Sequence, residues 1–281
     1  MRIFIAGLGL IGASYAEGLF AKGHVIDAWN RSEETVGKAV RKGFVRQETK
    51  LSDIEKADLV ILALYPEHNV RFLESHGHLL RSGQIVTDVS GTKVHMMDAI
   101  HKVIPEGVTY TSHHPMAGKE KSGFDARDPD MFKGANAIIV KGKKSGTRDE
   151  DVIRTILSDL GFGRVLVTDA TTHDALIAYT SQLTHVIAVS LVNSDRLHET
   201  KAATGDSFRD LTRIAKINET MWTALFLDNK DALLDAIGAF ERELAHLKSL
   251  IEEDKVQEIK DVLRHAKEKR VAFDNIDDQK S

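Results

Sequence analysis

The chain begins with a short apolar segment that runs directly into a glycine-rich turn. Residues 2–6 have the composition of a buried strand, and the next six read Gly-Leu-Gly-Leu-Ile-Gly. In a strand–turn–helix unit the first glycine permits the tight turn, the second lets the backbone approach a pyrophosphate, and the third allows close helix packing. Free N–H groups at the start of the helix then bind phosphate. We therefore expect a dinucleotide site, with cofactor-binding residues Gly7, Gly9, Leu10, Ile11 and Gly12.

Short β-rich runs alternate with helical stretches through the first half of the chain. Strands are predicted at 2–6, 25–29, 59–64, 85–88, 109–111, 137–140 and 165–167, and helices at 32–42 and 93–103. This rhythm predicts an α/β fold with an N-terminal Rossmann-type doubly wound sheet over residues 1–167. Later apolar residues recur at helical spacing, and all four prolines lie in the first half. Residues 168–281 are therefore predicted to form an all-helical domain that meets the sheet half at the substrate cleft. Its apolar helix faces either pair across a dimer or close an intramolecular bundle.

Composition narrows the functional classes. The 281 residues are 42% hydrophobic and 28% charged, which suits a soluble enzyme with sizeable cores. A formal charge of -4 without a long basic run argues against nucleic-acid binding, and the longest apolar run, 59–65, is too short to span a membrane. The absence of cysteine excludes disulfides, thiolate metal sites and thiol catalysis. We expect a cytoplasmic protein with no metal, nucleic-acid or membrane partner.

The turn after the second predicted strand bears on the choice of dinucleotide. NAD-binding domains typically have Asp or Glu there to bond the ribose 2′-hydroxyl. This chain has Asn30, Arg31 and Ser32 instead. Asn30 removes an anionic repulsion, and the other two offer donors to a 2′-phosphate. The turn favours NADP. NAD is the alternative, because Glu33 and Glu34 would repel that phosphate, Asn30 can bond a hydroxyl, and Ser32 can act only as a helix cap.

A histidine follows the fifth predicted strand, where open α/β sheets collect their ligands. His114 lies just beyond 109–111, and Pro115 fixes the backbone direction beside it. Hydride transfer from a carbon that bears a hydroxyl or amine requires a base for the proton, and histidine suits this role near neutral pH. The alternative is a solvated loop histidine. We interpret His114 as a general base and expect His113 to point elsewhere.

Longer motifs carry a resemblance to a known family. They are GLGLIG at 7–12, DVSGTK at 88–93, HPMAGKEKSG at 114–123 and FRDLTRIA at 208–215, with Trp222 beyond them. Through these motifs the chain resembles the prephenate and arogenate dehydrogenase family of tyrosine biosynthesis over most of its length. HPxAGxxxSG followed at this distance by FxDxTRIA is far more specific than the glycine motif alone.

The resemblance implies oxidation of the ring hydroxyl of a cyclohexadienol, with hydride passing to the nicotinamide and loss of a carboxylate as carbon dioxide. His114 then corresponds to the residue that removes the hydroxyl proton. Arg213 corresponds to the residue that binds a substrate carboxylate through two parallel hydrogen bonds, and a surface ion pair with Asp210 is its alternative. The other substrate-binding residues that the resemblance suggests are His185, Asp210, Trp222 and Glu120, with packing or plain solvation as the alternatives.

Two departures from the family pattern affect the expected pocket. The family generally has Asp-x-Gly-Ser-x-Lys where this chain has Asp-Val-Ser-Gly-Thr-Lys at 88–93. The serine that touches the reacting hydroxyl is thus displaced, and Ser90 or Thr92 is the candidate catalytic hydroxyl in its place. The family's Ser-His-Leu-Pro-His is Ser-Gln-Leu-Thr-His here, which puts Gln182 where a histidine is expected.

The resemblance thus implies a homodimeric oxidoreductase that converts prephenate to 4-hydroxyphenylpyruvate. An arogenate dehydrogenase that yields tyrosine directly is the nearest alternative. An NAD(P)-binding regulator with a decayed catalytic site is another, suggested by the changes at Ser90 and Gln182. A 3-hydroxyacid dehydrogenase would need a lysine early in the second half, and residues 169–195 contain none. We expect no regulatory domain beyond residues 1 and 281, so feedback by tyrosine would act at the active site.

Overall fold

The structure, a computed structural model, describes residues 1–119 and 121–274. The chain forms two compact units, one over residues 1–230 and a second that begins at residue 231. The first unit holds both β-sheets and the shorter helices. The second is formed by two long helices, α11 (Lys230–Glu252) and α12 (Val256–Asp274), of which α11 begins at the boundary.

The first unit is built on a five-stranded parallel sheet, which confirms the predicted fold class. Its strands, in the spatial order β2-β1-β3-β4-β5, are β1 (Arg2–Ala6), β2 (Val25–Trp29), β3 (Leu59–Leu62), β4 (Ile85–Asp88) and β5 (Thr109–Tyr110). The connecting helices are α1 (Leu10–Ala21), α2 (Glu33–Arg41), α3 (Pro66–His76) and α4 (Val94–Val103). Alternate side chains of β1 enter two different cores, Ile3 and Ile5 on one face and Phe4 on the other, as expected for a sheet covered on both faces.

The strands predicted after β5 do not extend the five-stranded sheet but belong to a second sheet. Strand β6 (Ser112–Pro115) pairs antiparallel with β7 (Ala137–Lys141), and β7 pairs parallel with β8 (Val165–Asp169), beside helix α5 (Asp149–Asp159). His114 therefore lies within a strand, opposite Ile138, and not in the loop beyond β5. The periodicity of a short apolar run indicates a strand but not which strand it pairs with.

The rest of the first unit is helical, as predicted. Helix α6 (Ala170–Ile177) continues through a π-helical segment, Ala178–Gln182, into α7 (Leu183–Asn193). Three shorter helices follow: α8 (Thr200–Ala203), α9 (Asp206–Thr212) and α10 (Glu219–Asp228). A π segment within a helix is frequently found at a functional site.

Two arginines and two aspartates form a closed ring of ion pairs beside β1. The Arg2 guanidinium lies 2.7 Å from Asp27 and 2.9 Å from Asp53, and that of Arg46 lies 2.7 and 2.6 Å from the same carboxylates. Both carboxylates are buried, whereas both arginines are partly exposed. The ring ties the segment after α2 to β1 and β2 through charge-assisted hydrogen bonds.

We expect Asp27→Asn to lower the free energy of unfolding by about 3 kcal/mol, because both guanidinium contacts then face a neutral amide in a buried position. Urea denaturation of the two proteins measures the difference. Glu67→Gln is the matched control, since Glu67 forms an exposed pair with Arg71 at 3.4 Å and its loss is expected to cost less than about 0.5 kcal/mol. Equal losses in the two variants would show that the ring adds no net stability.

Candidate active site

The predicted glycine turn forms at the carboxyl edge of the five-stranded sheet. Gly7 has a φ of 101°, which favours glycine, and a Cβ there would lie 2.6 Å from the carbonyl oxygen of Ala63. A Cβ on Gly12 would lie 2.0 Å from the carbonyl oxygen of Gly7, so α1 approaches the turn this closely only with glycine. A Cβ on Gly9 meets nothing within 4 Å. The turn is therefore closed behind Gly7 and open at Gly9.

Helix α1 starts at this open side without a side-chain cap. Its N-cap is Gly9, and Leu10 and Ile11 form the first turn. Uncapped N–H groups together with the helix dipole favour a phosphate at this position. The residues present fit a dinucleotide pyrophosphate, and the individual assignments to Gly9, Leu10 and Ile11 stay predictions.

A cavity of about 420 Å³ lies at the end of β2 and includes Asn30 in its lining. The Oδ1 of Asn30 accepts the Leu8 N–H at 3.1 Å, and its Nδ2 donates to the Ser32 carbonyl at 3.3 Å. The amide thus links the glycine turn to the segment before α2. Arg31 and Ser32 are exposed, and the Ser32 hydroxyl makes no capping bond although Ser32 is the N-cap of α2.

The two histidines of β6 point to opposite sides of the strand, as expected from its alternation. His113 is fully buried, with Nε2 2.9 Å from the Tyr15 hydroxyl and Nδ1 2.7 Å from the Thr87 hydroxyl. Burial, and then the nearby Lys93 ammonium, lower the pKa of His113 to about 3. His113 is therefore a neutral structural residue that joins β6 to α1 and β4.

His114 is partly exposed and contacts a second histidine. Its Nδ1 lies 3.0 Å from Nε2 of His173, and Nδ1 of His173 lies 2.7 Å from the Asp174 carboxylate. That carboxylate also accepts the backbone N–H groups of Lys93 and Val94 at 2.9 and 2.8 Å, at the start of α4. Two imidazoles and a carboxylate are thus aligned from β6 to the N-terminus of α4.

A fully buried ion pair supports the backbone of β6 at this point. Lys93 Nζ lies 2.9 Å from Asp88 and donates to the carbonyl oxygen of His113, also at 2.9 Å. Asp88 accepts further hydrogen bonds from the hydroxyls of Tyr110 and Ser112. Burial raises the pKa of Asp88, but Lys93 and the hydroxyl donors more than offset this and hold it below its ordinary value.

The surroundings keep His114 neutral. Burial and then the charge of Lys93, with smaller contributions from His173 and His113, lower the pKa of His114 well below 6.5. Burial also lowers the pKa of His173, although Asp174 acts in the opposite direction. A neutral imidazole has one unprotonated nitrogen and can accept a proton at neutral pH.

The hydroxyls of Ser90 and Thr92 are engaged with other groups. Asn69 Nδ2 donates to Ser90 Oγ at 3.1 Å, and the Thr92 hydroxyl donates to the Asp228 carboxylate. The structure therefore does not bring either hydroxyl together with His114 through these bonds. The assignment of a catalytic hydroxyl to Ser90 or Thr92 stays a prediction.

Gly91 faces the base instead. A Cβ on Gly91 would lie 3.9 Å from His114 Nε2 and 3.5 Å from Leu225 Cδ2, which brings α10 alongside His114. Gln182 braces this helix, since its Nε2 donates to the Leu225 carbonyl at 2.9 Å and its Oε1 accepts from Asn229 at 2.8 Å. Gln182 is buried and has a structural role here.

The predicted substrate-binding residues lie on the helices around α7. The rings of His185 on α7 and Trp222 on α10 are in contact, with centroids 3.7 Å apart and an angle of 31° between their planes. Arg213 begins a short 3-10 turn that packs against α7, and its side chain is exposed, as is Asp210 on α9. Glu120 lies outside the described residues.

Sequence reasoning missed His173 and Asp174. They form an adjacent His-Asp pair near the start of the helix that follows β8, and this was the available signal. A lone helical histidine is usually a packing residue, so only the fold, which brings α6 against β6 and α4, distinguishes this one. Lys93 lies inside the motif at 88–93, but its burial beside Asp88 depends equally on tertiary contacts.

Comparison with known proteins gives a consistent picture. The family model described as "Prephenate dehydrogenase, nucleotide-binding domain" matches residues 16–167, and "Prephenate dehydrogenase, dimerization domain" matches residues 169–265. The chain is 29% identical to a prephenate dehydrogenase of Bacillus subtilis (strain 168) over 278 residues, which cover 95% of this chain and 75% of that protein.

Two solved structures are similar over nearly the whole chain. Prephenate dehydrogenase from A. aeolicus in complex with hydroxyphenyl propionate and NAD+ has a TM-score of 0.85 and 27% identity, covering 97% of this chain and 98% of that one. Synechocystis arogenate dehydrogenase has a TM-score of 0.86 and 24% identity, with 97% and 100% covered, and shows the common fold.

Proposed function

Since the chain belongs to the prephenate dehydrogenase family, we propose that it oxidises and decarboxylates prephenate to 4-hydroxyphenylpyruvate, an NAD(P)-dependent step of tyrosine biosynthesis. The observation that carries the proposal is the environment of His114. Its ring is kept neutral, its Nδ1 is occupied by His173, and its Nε2 faces Gly91, where there is no side chain. A base of this kind suits proton removal from a substrate hydroxyl.

In the proposed reaction, His114 accepts one proton from the substrate and returns it to the product, so no other proton donor or acceptor is required. A bound nicotinamide supplies the hydride acceptor, and the glycine turn with the first turn of α1 would hold its pyrophosphate. His114 Nε2 takes the proton of the ring hydroxyl as the carbonyl forms. Loss of the ring carboxylate as carbon dioxide leaves its electron pair in the ring and creates a phenolate oxygen, to which His114 returns the proton. His114 ends the cycle neutral.

Turnover of prephenate and of arogenate, each with NADP and with NAD, tests the proposal through nicotinamide absorbance and product analysis. Formation of 4-hydroxyphenylpyruvate from prephenate supports it. Preferred turnover of arogenate would identify an arogenate dehydrogenase, since no described residue distinguishes the side-chain amine from the keto group. Absence of turnover with all pairs would favour a nucleotide-binding regulator.

For the cofactor, the proposal is NADP, with NAD as the alternative. Supporting it, Arg31 and Ser32 are exposed beside the cavity at the end of β2, and the Ser32 hydroxyl is not used as a helix cap. Lys50 lines the cavity and supplies a cation there. Glu33 lines it as well and acts against a 2′-phosphate.

Asn30→Asp is expected to lower kcat/KM for NADP by roughly tenfold to a hundredfold, because it places an anion beside the 2′-phosphate. The new carboxylate can still accept the Leu8 N–H, so the glycine turn keeps its support. The efficiency with NAD should hold or rise, since a carboxylate bonds the ribose hydroxyl. Steady-state kinetics with both cofactors measures the ratio. Equal loss with both would mean that Asn30 acts only through the turn.

The proposal includes a cytoplasmic homodimer and the division of the chain after residue 167. Apolar side chains are exposed in both units, including Tyr179 at 63% and Leu244 at 57%. By length and composition alone the stretch Ala170–Asn193 could cross a membrane, and 28% of its 18-residue apolar window is buried. Since its buried side carries His173 and Asp174, we assign its apolar face to a second copy. Sedimentation analysis of the full chain tests this assignment.

A further inference from the structure

The hydrogen bonds of Asp174 and His173 determine which ring nitrogen of His114 carries a proton. Asp174 accepts two backbone N–H groups at the start of α4 and is an acceptor on every side. The His173 Nδ1 that faces it at 2.7 Å must therefore carry a proton. Because His173 is neutral, its Nε2 is an acceptor, and His114 Nδ1, 3.0 Å away, must be the donor.

We infer that His173 is a positioning residue, held by Asp174, that fixes His114 in the tautomer protonated at Nδ1 and so leaves Nε2 bare toward the substrate. The inference rests on the proposed function for its catalytic meaning, but the tautomer itself does not depend on any substrate. It also explains how the positive charge that forms on His114 during turnover is stabilised. When His114 Nε2 takes a proton, the imidazolium still donates from Nδ1 to His173, and the Asp174 carboxylate stabilises the pair.

Burial makes this arrangement strict. His173 is fully buried and Asp174 is 4% exposed, so solvent competes weakly for either nitrogen of His173. The other charged or titratable groups around the imidazoles are Lys93, Asp88 and His113. Lys93 and Asp88 already form a closed ion pair, and His113 is bonded to Tyr15 and Thr87. Asp174 is therefore the acceptor that sets the order.

Asp174→Asn tests the inference directly. The amide oxygen can keep the two backbone bonds of α4, while the amide NH₂ now donates to His173 Nδ1. His173 is then protonated at Nε2 instead of Nδ1 and donates to His114 Nδ1. The proton of His114 therefore moves to Nε2. We expect kcat with prephenate to fall by about 10²–10⁴-fold with little change in KM, and the pH profile of kcat to change shape. Asp169→Ala is the control, because it removes only the two hydrogen bonds that Asp169 accepts from Thr172 at the exposed start of α6 and should leave kcat unchanged.

Substitutions at His173 separate positioning from packing. His173→Gln offers an oxygen to His114 and an NH₂ to Asp174, so it should keep kcat within about tenfold, whereas His173→Leu fills the space without either bond and should lose as much as Asp174→Asn. If Asp174→Asn fails to fold, the difference in kcat between His173→Gln and His173→Leu tests the inference instead. Wild-type kcat in His173→Leu would overturn the inference.

The tautomer can be observed without turnover. In wild-type protein with ¹⁵N-labelled histidine, and without substrate, the imidazole resonances of His114, assigned through His114→Asn, should show Nδ1 protonated and Nε2 bare. In Asp174→Asn, the same resonances should show Nε2 protonated and Nδ1 bare. A proton on Nε2 in the wild type would overturn the inference even if prephenate is turned over. The expected tautomer in a protein that does not turn over prephenate would overturn the proposed function alone.

Discussion

Replacing His114 by asparagine is expected to lower kcat for prephenate by about 10²–10⁴-fold, the usual contribution of a general base. The asparagine amide can reach the position of Nδ1 and donate to His173 Nε2, so the contact that His114 makes at 3.0 Å has a replacement. It cannot reach the position of Nε2, which faces Gly91. The variant should therefore fold and bind substrate but lack a proton acceptor at the reacting hydroxyl.

Steady-state kinetics together with equilibrium binding of the nicotinamide cofactor measures this effect. His95→Asn is the matched control, since His95 is exposed on α4 and should leave kcat unchanged. The wild-type pH profile supplies a second comparison. Because the pKa of His114 is lowered, its neutral form persists below 6.5, and kcat/KM should stay level through neutral pH and fall only in more acid solution. Wild-type kcat in His114→Asn would exclude this residue as the base.

The Rossmann half was predictable because its evidence is local. The strand 2–6 and the glycines at 7, 9 and 12 specify their own conformation, and the structure shows why Gly7 and Gly12 tolerate no side chain. The second sheet was not predictable in the same way. Strands β5 and β6 are separated by one residue, and the change of partner depends on β7, which lies more than twenty residues further on.

The residues of the candidate site likewise differ in whether local sequence or a distant contact reveals their role. The type of residue needed for proton transfer made His114 visible, and strand alternation explains why His113 is buried and bonded to Tyr15. His173 could not be recognised, because its meaning depends on a tertiary contact with β6. For Ser90 and Thr92 the sequence identified the residues but not the orientation of their hydroxyl groups. A motif gave their positions, but the hydroxyl directions depend on Asn69 and Asp228, which come from distant elements.

Arg213→Ala is expected to weaken substrate binding by about 2–5 kcal/mol, the cost of removing one partner of a charge pair that the bound substrate desolvates. Each 1.4 kcal/mol is a factor of about ten, so KM for prephenate should rise by roughly thirtyfold or more while kcat changes less. Arg213 begins the turn that packs against α7, the helix whose His185 contacts the Trp222 ring.

Arg213→Lys keeps the charge but loses the planar fork, so its KM should lie between those of the wild type and Arg213→Ala. The competing interpretation, a surface ion pair with Asp210, makes a different prediction. In that case Arg213→Ala would lower thermal stability slightly and leave KM unchanged, because exposed pairs contribute about 0–1 kcal/mol. Measuring KM and Tm on the same three proteins separates the two, since a carboxylate contact affects KM and an ion pair within the protein affects only Tm.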